Sequence, residues 1–162
     1  MDEAARSELL RPMTIADVPH VLEVQEPGAV VGLADVFDQD THPFPRDAVA
    51  ARWIAEIESP HIDCQIVQRH GVTAGFAAVR GDEFLHFGIA LEHWGTGLAV
   101  AAHDAVLERL RTNGVQRAWL RVFAANGRGR AFYDKLGWCW TGERSFSSFA
   151  PYPELLRYER DL

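Results

Sequence analysis

The chain has 162 residues, of which 48% are hydrophobic and 24% are charged, and its formal net charge is −7 at pH 7. This length and composition indicate one globular domain, residues 1–162, with a sizeable core. The acidic balance argues against a nucleic-acid-binding protein, because phosphate neutralisation requires a basic face. We find neither a signal peptide nor the roughly eighteen consecutive apolar residues of a membrane span, which favours a cytoplasmic protein without a membrane partner.

The first third of the chain predicts a strand, two helices and a long connection. Leu9 to Met13 is typical of a short strand, and Thr14 is of a type that caps the helix after it. Residues 26–46 contain several prolines and acidic residues and predict a loop. Asp47 is then expected to cap a helix that continues to Glu58.

The middle of the chain alternates between strand and helix patterns. The runs at 64–68 and 72–79 predict a hairpin, and the apolar run at 83–91 predicts a central strand. A long helix is expected at 97–111, and a second central strand at 118–123.

The last elements complete the fold class. A short helix opened by Asn126 and ended by Gly137 is followed by terminal strands at 138–143 and 155–160. We therefore expect an α/β (α+β) domain, with a mixed central sheet of about six to seven strands flanked by about four helices.

The two cysteines, Cys64 and Cys139, lie in strand-like runs and do not form a metal-like cluster. We interpret them as buried free thiols in a reducing compartment, with a disulfide as the alternative. The sequence therefore predicts no metal site.

Residues 94–99, between the central strand and the long helix, form a glycine-rich turn. Gly95, Gly97 and Ala99 let the backbone approach a ligand without a large side chain in between. The first turn of a helix presents unpaired N–H groups at the positive end of the helix dipole, so this turn suits phosphate. A dinucleotide fingerprint would need glycine where Val100 stands, and a triphosphatase loop would need Gly-Lys-Ser/Thr. A plain tight turn is the remaining alternative for this stretch taken alone.

A second motif lies further along the chain, at residues 126–138. Together the two motifs resemble those of the GCN5-related N-acetyltransferase (GNAT) superfamily, whose members bind acetyl-CoA. The first family motif corresponds here to Trp94-x-x-Gly97-x-Ala99. The second corresponds to Asn126, Gly129, Phe132, Tyr133, Lys135, Leu136, Gly137 and Trp138.

Three positions depart from the family pattern. Trp94 stands where glutamine or arginine is usual, Leu91 where proline is common, and Gly129 where alanine is usual. None of them changes the backbone requirement at Gly97 and Ala99.

The resemblance implies that the strands at 83–91 and 118–123 run parallel and splay apart at their ends. Pantetheine would then pair with the open backbone of residues 87–89, and the cofactor diphosphate would lie on the N–H groups of residues 95–100. A backbone N–H near Ile89 would face the thioester carbonyl. The implied cofactor-binding residues are Phe87, Gly88, Ile89, Gly95, Thr96, Gly97, Leu98, Ala99, Val100, Asn126, Arg128 and Tyr133.

Acyl transfer to an amine is expected to depend on a general base more than on a general acid. Deprotonating a lysine-like amine at pH 7 costs roughly 4–5 kcal/mol, whereas a thiol leaves as thiolate at a cost of about 2 kcal/mol. Glu83 is the first candidate for the base and His86 the second. A solvated turn residue and a packed strand histidine are the alternative interpretations of these two. Tyr133 matches the family tyrosine that protonates the leaving thiolate, and its alternative is aromatic packing.

The acceptor is the least determined part of the prediction. Asp38, Asp40 and His42 in the long loop, together with Glu83, suggest a pocket that attracts a cationic amine. The resemblance implies an acetyl-CoA-dependent N-acyltransferase that moves an acetyl group directly to a primary amine of a small molecule. Acetylation of protein or peptide N-termini and a non-catalytic acyl-CoA-binding regulatory module are the alternatives, and a homodimer is left open.

Overall fold

The computed structural model describes residues 8–162, so the first seven residues of the expected domain lie outside the described part of the chain. Its strands are β1 Leu10–Pro12, β2 Ile62–Arg69, β3 Val72–Arg80, β4 Glu83–Ile89, β5 Arg117–Phe123, β6 Cys139–Phe146 and β7 Glu154–Asp161. Its helices of nine residues or more are α1 Val18–Gly32, α2 Arg46–Glu58, α3 Leu98–Thr112 and α4 Gly127–Lys135. The strands form one seven-stranded sheet in the order β1-β2-β3-β4-β5-β7-β6. The predicted fold class is confirmed.

The parallel pair in the described sheet is β4 with β5, and the other neighbouring strands run antiparallel. Within residues 8–162, pairing between β4 and β5 is confined to Glu83 and Trp119, near the start of both strands. The Trp119 backbone N–H also donates to the Asp82 carbonyl oxygen at 3.1 Å. Beyond this point the two strands diverge, so the carboxyl end of β4 has an open edge.

A β-bulge in β4 explains the divergence. Ala78 of β3 pairs with His86 and Val79 pairs with Phe84, so Leu85 is an extra residue in β4. A bulge bends its strand and increases the local twist, which turns the end of β4 away from β5.

Apolar side chains pack into two cores, one on each face of the sheet. The core that contains α3 includes Leu98, Leu107 and Leu110, which are almost fully buried. The core that contains α1 and α2 includes Val21 and Trp53, which have no exposed surface. The sheet is therefore covered on both faces at β4, as its apolar sequence predicts.

The connection between α1 and α2 is shorter than the sequence predicts. Residues 26–32, which we assigned to a loop, continue α1 to Gly32, with Pro27 inside the helix. A Cβ added at Gly32 would lie 3.3 Å from the Trp94 ring, so the end of α1 packs against the glycine-rich turn. This tertiary contact outweighs the local preference of a Pro-Gly pair for a turn.

The starts of α1 and α2 also differ in detail from the prediction. Thr14 is followed by a 3₁₀ turn, Ile15–Asp17, before α1 begins. The Thr14 backbone N–H donates to the Asp17 carboxylate at 2.8 Å, which closes this turn. Because α2 begins at Arg46, Asp47 lies in its first turn and is not its N-cap.

The two thiols lie in different surroundings. Cys64 is buried and Cys139 is exposed, and neither forms a disulfide. Our expectation that Cys139 is buried is wrong, because it lies on β6, the outer strand of the sheet. Among the described residues, no helix is both long and apolar enough to cross a membrane, and no group of metal-ligating side chains comes together.

Candidate active site

The turn between β4 and α3 has the geometry of an anion-binding loop. Gly95 and Gly97 have φ angles of +77° and +88°, which side chains other than glycine rarely adopt. A Cβ added at either position would meet no atom within 4 Å, so a ligand can approach both backbones. Gly97 is the N-cap of α3, and among the described residues the N–H groups of Ala99 and Val100 have no acceptor. The predicted turn thus presents free donors at a helix N-terminus.

The open edge of β4 presents backbone groups of Phe87 and Ile89. The Ala90 N–H donates to the Ala74 carbonyl of β3 at 2.8 Å. Ile89 pairs with Gly75, and the polar groups of successive residues in an antiparallel strand point to opposite sides. Those of Ile89 and Phe87 therefore point towards β5, where the strands have separated. An extended ligand with amide groups can add to this edge as a strand does.

Gly88 lies between these two residues but has a different role in the geometry. Its polar backbone groups face β3, where it pairs with Phe76. A Cβ at Gly88 would lie 2.3 Å from the Phe76 ring, so the missing side chain makes room for that ring. The glycine keeps the end of β4 flat against β3.

The N-terminus of α4 lies across the opening from the glycine-rich turn. The Asn126 side-chain oxygen accepts the Gly129 N–H at 2.9 Å, as its type predicts. A Cβ at Gly129 would lie 2.5 Å from the Asn126 side chain, which explains glycine where alanine is usual. The Arg128 guanidinium lies 3.4 Å from the centroid of the Trp94 ring, and so joins α4 to the turn.

Tyr133 projects from α4 into an aromatic cluster. Its ring packs edge-on against Phe132 at 5.3 Å and Trp138 at 6.0 Å between centroids. Burial raises the pKa of its hydroxyl, so the group keeps its proton at neutral pH. A protonated hydroxyl is the state that a general acid needs.

Glu83 is buried but already paired. It is 2% exposed, and its carboxylate lies 2.6 Å from the Arg80 guanidinium and 3.9 Å from that of Arg121. It begins β4, six residues before Ile89, which corresponds to about 20 Å along a strand. The solvated turn residue that the sequence also allowed is therefore excluded, and Glu83 lies at the opposite end of β4 from Ile89.

His86 lies closer to the open edge and is held by a carboxylate. Its Nε2–H donates to both oxygens of Glu56 on α2, at 2.8 and 3.0 Å. Its ring packs against Trp53 at 5.1 Å, and burial lowers its pKa despite the nearby carboxylate. The hydrogen bond at Nε2 leaves the lone pair on Nδ1 of the neutral ring.

Glu56 is a residue that the sequence analysis missed. It lies three residues after Trp53, on the stripe of α2 that faces the core, and its side chain is 13% exposed. A carboxylate on an otherwise apolar helix face is the sequence signal that indicates a buried partner.

The long loop packs against the end of β5 through an aromatic contact that the sequence did not predict. The Phe37 ring packs edge-on against Phe123, at the end of β5, with centroids 5.4 Å apart. The carboxylate of the exposed Asp38 accepts the Asp40 N–H at 3.0 Å, and its backbone carbonyl accepts the His42 N–H at 2.6 Å, so both bonds stay within the loop. The structure therefore brings the loop to the open end of β5 through an aromatic ring, with the predicted acidic residues at its surface.

The connection between β6 and β7 contacts α2 through the Phe149 ring. Arg52 of α2 lies 5.5 Å below the Phe149 ring, and its Nε has no hydrogen-bond partner among the described residues. Arg52 also lies 3.6 Å from Glu56, so it belongs to the same cluster as His86. Burial lowers the pKa of the Arg52 guanidinium, which nevertheless remains a cation at neutral pH.

A splayed parallel strand pair with an anion-binding turn at its open end defines the acetyltransferase class of α+β proteins. The sequence model of the Acetyltransferase (GNAT) family matches residues 31–138, and the chain belongs to that family. The protein is therefore an N-acetyltransferase, as the two motifs implied. No curated protein sequence matches the chain.

Solved structures show the same fold at low sequence identity. A PaiA N-acetyltransferase from Thermoplasma acidophilum in complex with coenzyme A is 14% identical, with a TM-score of 0.76 over 94% of this chain and 98% of that one. The ribosomal-protein-S18-alanine N-acetyltransferase from Escherichia coli is 18% identical, with a TM-score of 0.67 over 94% and 92%. A spermidine N-acetyltransferase SpeG chimera from Vibrio cholerae and hSSAT is 18% identical, with a TM-score of 0.70 over 94% and 93%. These neighbours act on both small amines and proteins, so the fold alone does not select the acceptor.

Proposed function

We propose that the protein transfers an acetyl group from acetyl-CoA directly to a primary amine of a small molecule. Three features support the proposal: the N–H groups of Ala99 and Val100 that have no acceptor among the described residues, the open backbone edge at Ile89, and the Tyr133 hydroxyl, which burial keeps protonated. Acetyl-CoA has a group for each of them, since it combines a diphosphate, an amide-containing arm and a thioester.

Cofactor binding would use mostly backbone. The N–H groups from Gly95 to Val100 would hold the diphosphate, and the backbone of Phe87 would pair with an amide of pantetheine. The Ile89 carbonyl already accepts the Trp94 indole N–H, so Ile89 would contribute its N–H alone. The Asn126 side-chain oxygen already accepts the Gly129 N–H, so Asn126 would contact the cofactor through its side-chain NH₂ group. Arg128 already lies over the ring of Trp94, at the start of the turn.

The acyl group would then lie at the end of β4. The Ile89 N–H would donate to the acyl oxygen as negative charge develops on it, an effect often worth a few kcal/mol. The Tyr133 hydroxyl would give its proton to the leaving sulfur. Burial raises the pKa of the Cys64 thiol to about 12, so that thiol stays protonated, which argues against Cys64 as the carrier of a covalent intermediate.

Between the two candidate bases, the geometry favours His86. Its neutral ring has a free lone pair on Nδ1, and Glu56 stabilises the positive charge that forms when Nδ1 takes up a proton. Glu83 is held by Arg80 at the far end of β4, and could act only through intervening water. We therefore assign His86 as the general base and Glu83 as a charge that supports it, since Glu83 raises the pKa of His86 in opposition to burial.

The proposed activity is tested by measuring the release of CoA thiol from acetyl-CoA in the presence of a panel of amines. The panel includes a polyamine, an amino-acid amide and a short peptide with a free N-terminus. Turnover with the small amines supports the proposal, and turnover with the peptide alone supports N-terminal acetylation. Binding of acetyl-CoA without turnover of any amine would instead support the regulatory module.

A further inference from the structure

The Trp94 side chain bridges two elements that line the cofactor opening. Its indole N–H donates to the Ile89 carbonyl oxygen at 2.9 Å, and its ring lies under the Arg128 guanidinium at 3.4 Å. The same ring lies against the end of α1 at Gly32. Three contacts on different sides fix the plane of this ring.

Arg128 has no other attachment within residues 8–162. No carboxylate lies within 4.0 Å of its guanidinium, and no acceptor takes one of its N–H groups. Its neighbour Arg130 differs, since it donates to the Tyr158 hydroxyl at 3.2 Å and to the Ala124 carbonyl at 3.3 Å. Among the described residues, Arg128 is thus a cation without an ion-pair partner, held by an aromatic face.

The position of this cation matters because Trp94 lies immediately before the glycine-rich turn. The stack brings a charge from α4 to Trp94, at the start of the turn. At the end of the turn, the N–H groups of Ala99 and Val100 have no acceptor among residues 8–162. Free backbone donors and a guanidinium together form a stronger phosphate site than either alone, because guanidinium matches phosphate geometry.

We propose that Trp94 is a positioning residue for acetyl-CoA, which holds the Arg128 guanidinium beside the 95–100 turn so that it binds the cofactor phosphates. This inference rests on the proposed function. Trp94 stands where the family usually has glutamine or arginine. In this chain the side chain that contacts phosphate would therefore be Arg128 of α4 and not the residue at position 94. The indole bond also occupies the Ile89 carbonyl, which leaves the Ile89 N–H for the acyl oxygen.

The test is a double-mutant cycle on CoA affinity, measured by calorimetry at low and high ionic strength. Arg128→Ala should weaken CoA binding by about tenfold, the size expected for one charge-assisted hydrogen bond. Trp94→Ala should weaken it nearly as much in the wild-type background and add little in the Arg128→Ala background. Both losses should shrink at high salt, and neither should appear with pantetheine, which has no phosphates.

A matched stack elsewhere in the chain provides the control. Arg144 lies over Trp140 on β6 at 5.1 Å, away from the turn. Trp140→Ala and Arg144→Ala remove the same kinds of groups and should leave CoA affinity unchanged. A general effect of losing tryptophan or positive charge would appear in these variants as well.

Two conservative variants keep the test decisive if Trp94→Ala does not fold. Trp94→Phe retains an aromatic face and should keep affinity within a few-fold, whereas Arg128→Lys retains charge without a planar group and should lose most of the effect. Additive losses at Trp94 and Arg128, or equal affinity in all variants, would overturn the inference while leaving the enzyme assignment intact. Failure of the wild type to bind CoA would instead overturn the proposed function.

Discussion

The Trp138 indole N–H donates to Nε2 of His103 at 2.9 Å, inside the core beneath α3. Because an indole N–H can only donate, Nε2 carries the lone pair, and Nδ1–H donates to Asp104 at 2.9 Å. His103 is 1% exposed, and burial lowers its pKa. Since Tyr133 packs against Trp138, this neutral histidine supports the residue that we assign as general acid.

We expect the free energy of unfolding to decrease as pH falls below about 6.5, the ordinary histidine pKa. Burial lowers the pKa of both His103 and His86 in the folded chain. At a pH between the lowered pKa and the ordinary histidine pKa, the unfolded state therefore binds more protons than the folded state. Stability therefore rises with pH across this window. Urea unfolding on either side of the window measures the slope.

The matched variant for this stability prediction is His103→Gln, which keeps an acceptor for Trp138 but does not titrate. It should flatten the pH dependence, whereas His20→Gln, at an exposed histidine of α1, should not. An unchanged slope in the His103→Gln protein would show that this histidine does not contribute.

Gly97→Glu should abolish CoA binding, because it adds bulk and negative charge where the diphosphate would lie. Gly114, at the other end of α3, has φ of +85° and equally open surroundings, so Gly114→Glu introduces similar backbone strain. Both variants should lose about 1–2 kcal/mol of stability by thermal unfolding. Only Gly97→Glu should lose CoA affinity by calorimetry, and normal affinity in a folded Gly97→Glu protein would refute the cofactor site.

Tyr133→Phe should reduce kcat by about a hundredfold, the usual contribution of a general acid. CoA affinity should stay within a few-fold, because only a hydroxyl is lost from a ring that remains packed against Trp138. Steady-state turnover and calorimetry separate the two effects. Full activity of the variant across the pH range would leave Tyr133 with a packing role alone.

The choice of base can be read from the acid limb of the kcat/KM profile. His86→Gln should remove this limb and most of the activity. Glu56→Gln should move the limb to lower pH, because losing the carboxylate's negative charge destabilises the protonated ring. If Glu83→Gln instead loses a hundredfold or more in kcat while His86→Gln stays active, Glu83 is the base and our assignment is wrong.

Neutralising the loop acids tests whether the acceptor is cationic. Asp38→Asn together with Asp40→Asn should raise the acceptor KM, more at low than at high ionic strength, because salt screens exposed charges. The KM for acetyl-CoA should hardly change. An acceptor KM that is the same at every salt concentration would remove these two residues from the acceptor site.

Local sequence patterns predicted the elements that carry strong signals. Most of the apolar run at 83–91 became the strand β4, which ends at Ile89. The small residues at 95–99 became a turn that leads into α3 at Leu98. Positive φ at Gly97 follows from its own chemistry, so it could be expected without knowledge of the rest of the chain. The same holds for Asn126, whose short side chain caps the helix that it precedes.

Predictions from local sequence patterns were less accurate where contacts with distant residues oppose the local preference. Pro27 and Gly28 favour a turn, but packing of Gly32 against Trp94 extends α1 through them. Cys139 lies in a strand-like run, and only its place at the sheet edge exposes it.

The sequence by itself determined the fold class and the glycine-rich turn, because these depend on periodicity and on residues close together in the chain. It indicated the family through the resemblance of its two motifs to those of known members. Only the tertiary structure decided which charges meet. Glu83 is held by Arg80 and approached by Arg121, while His86 is joined to Glu56 across thirty residues. Such pairings depend on how β4 bends at its bulge and on which face of α2 lies above it. Neither feature can be predicted from a local sequence pattern.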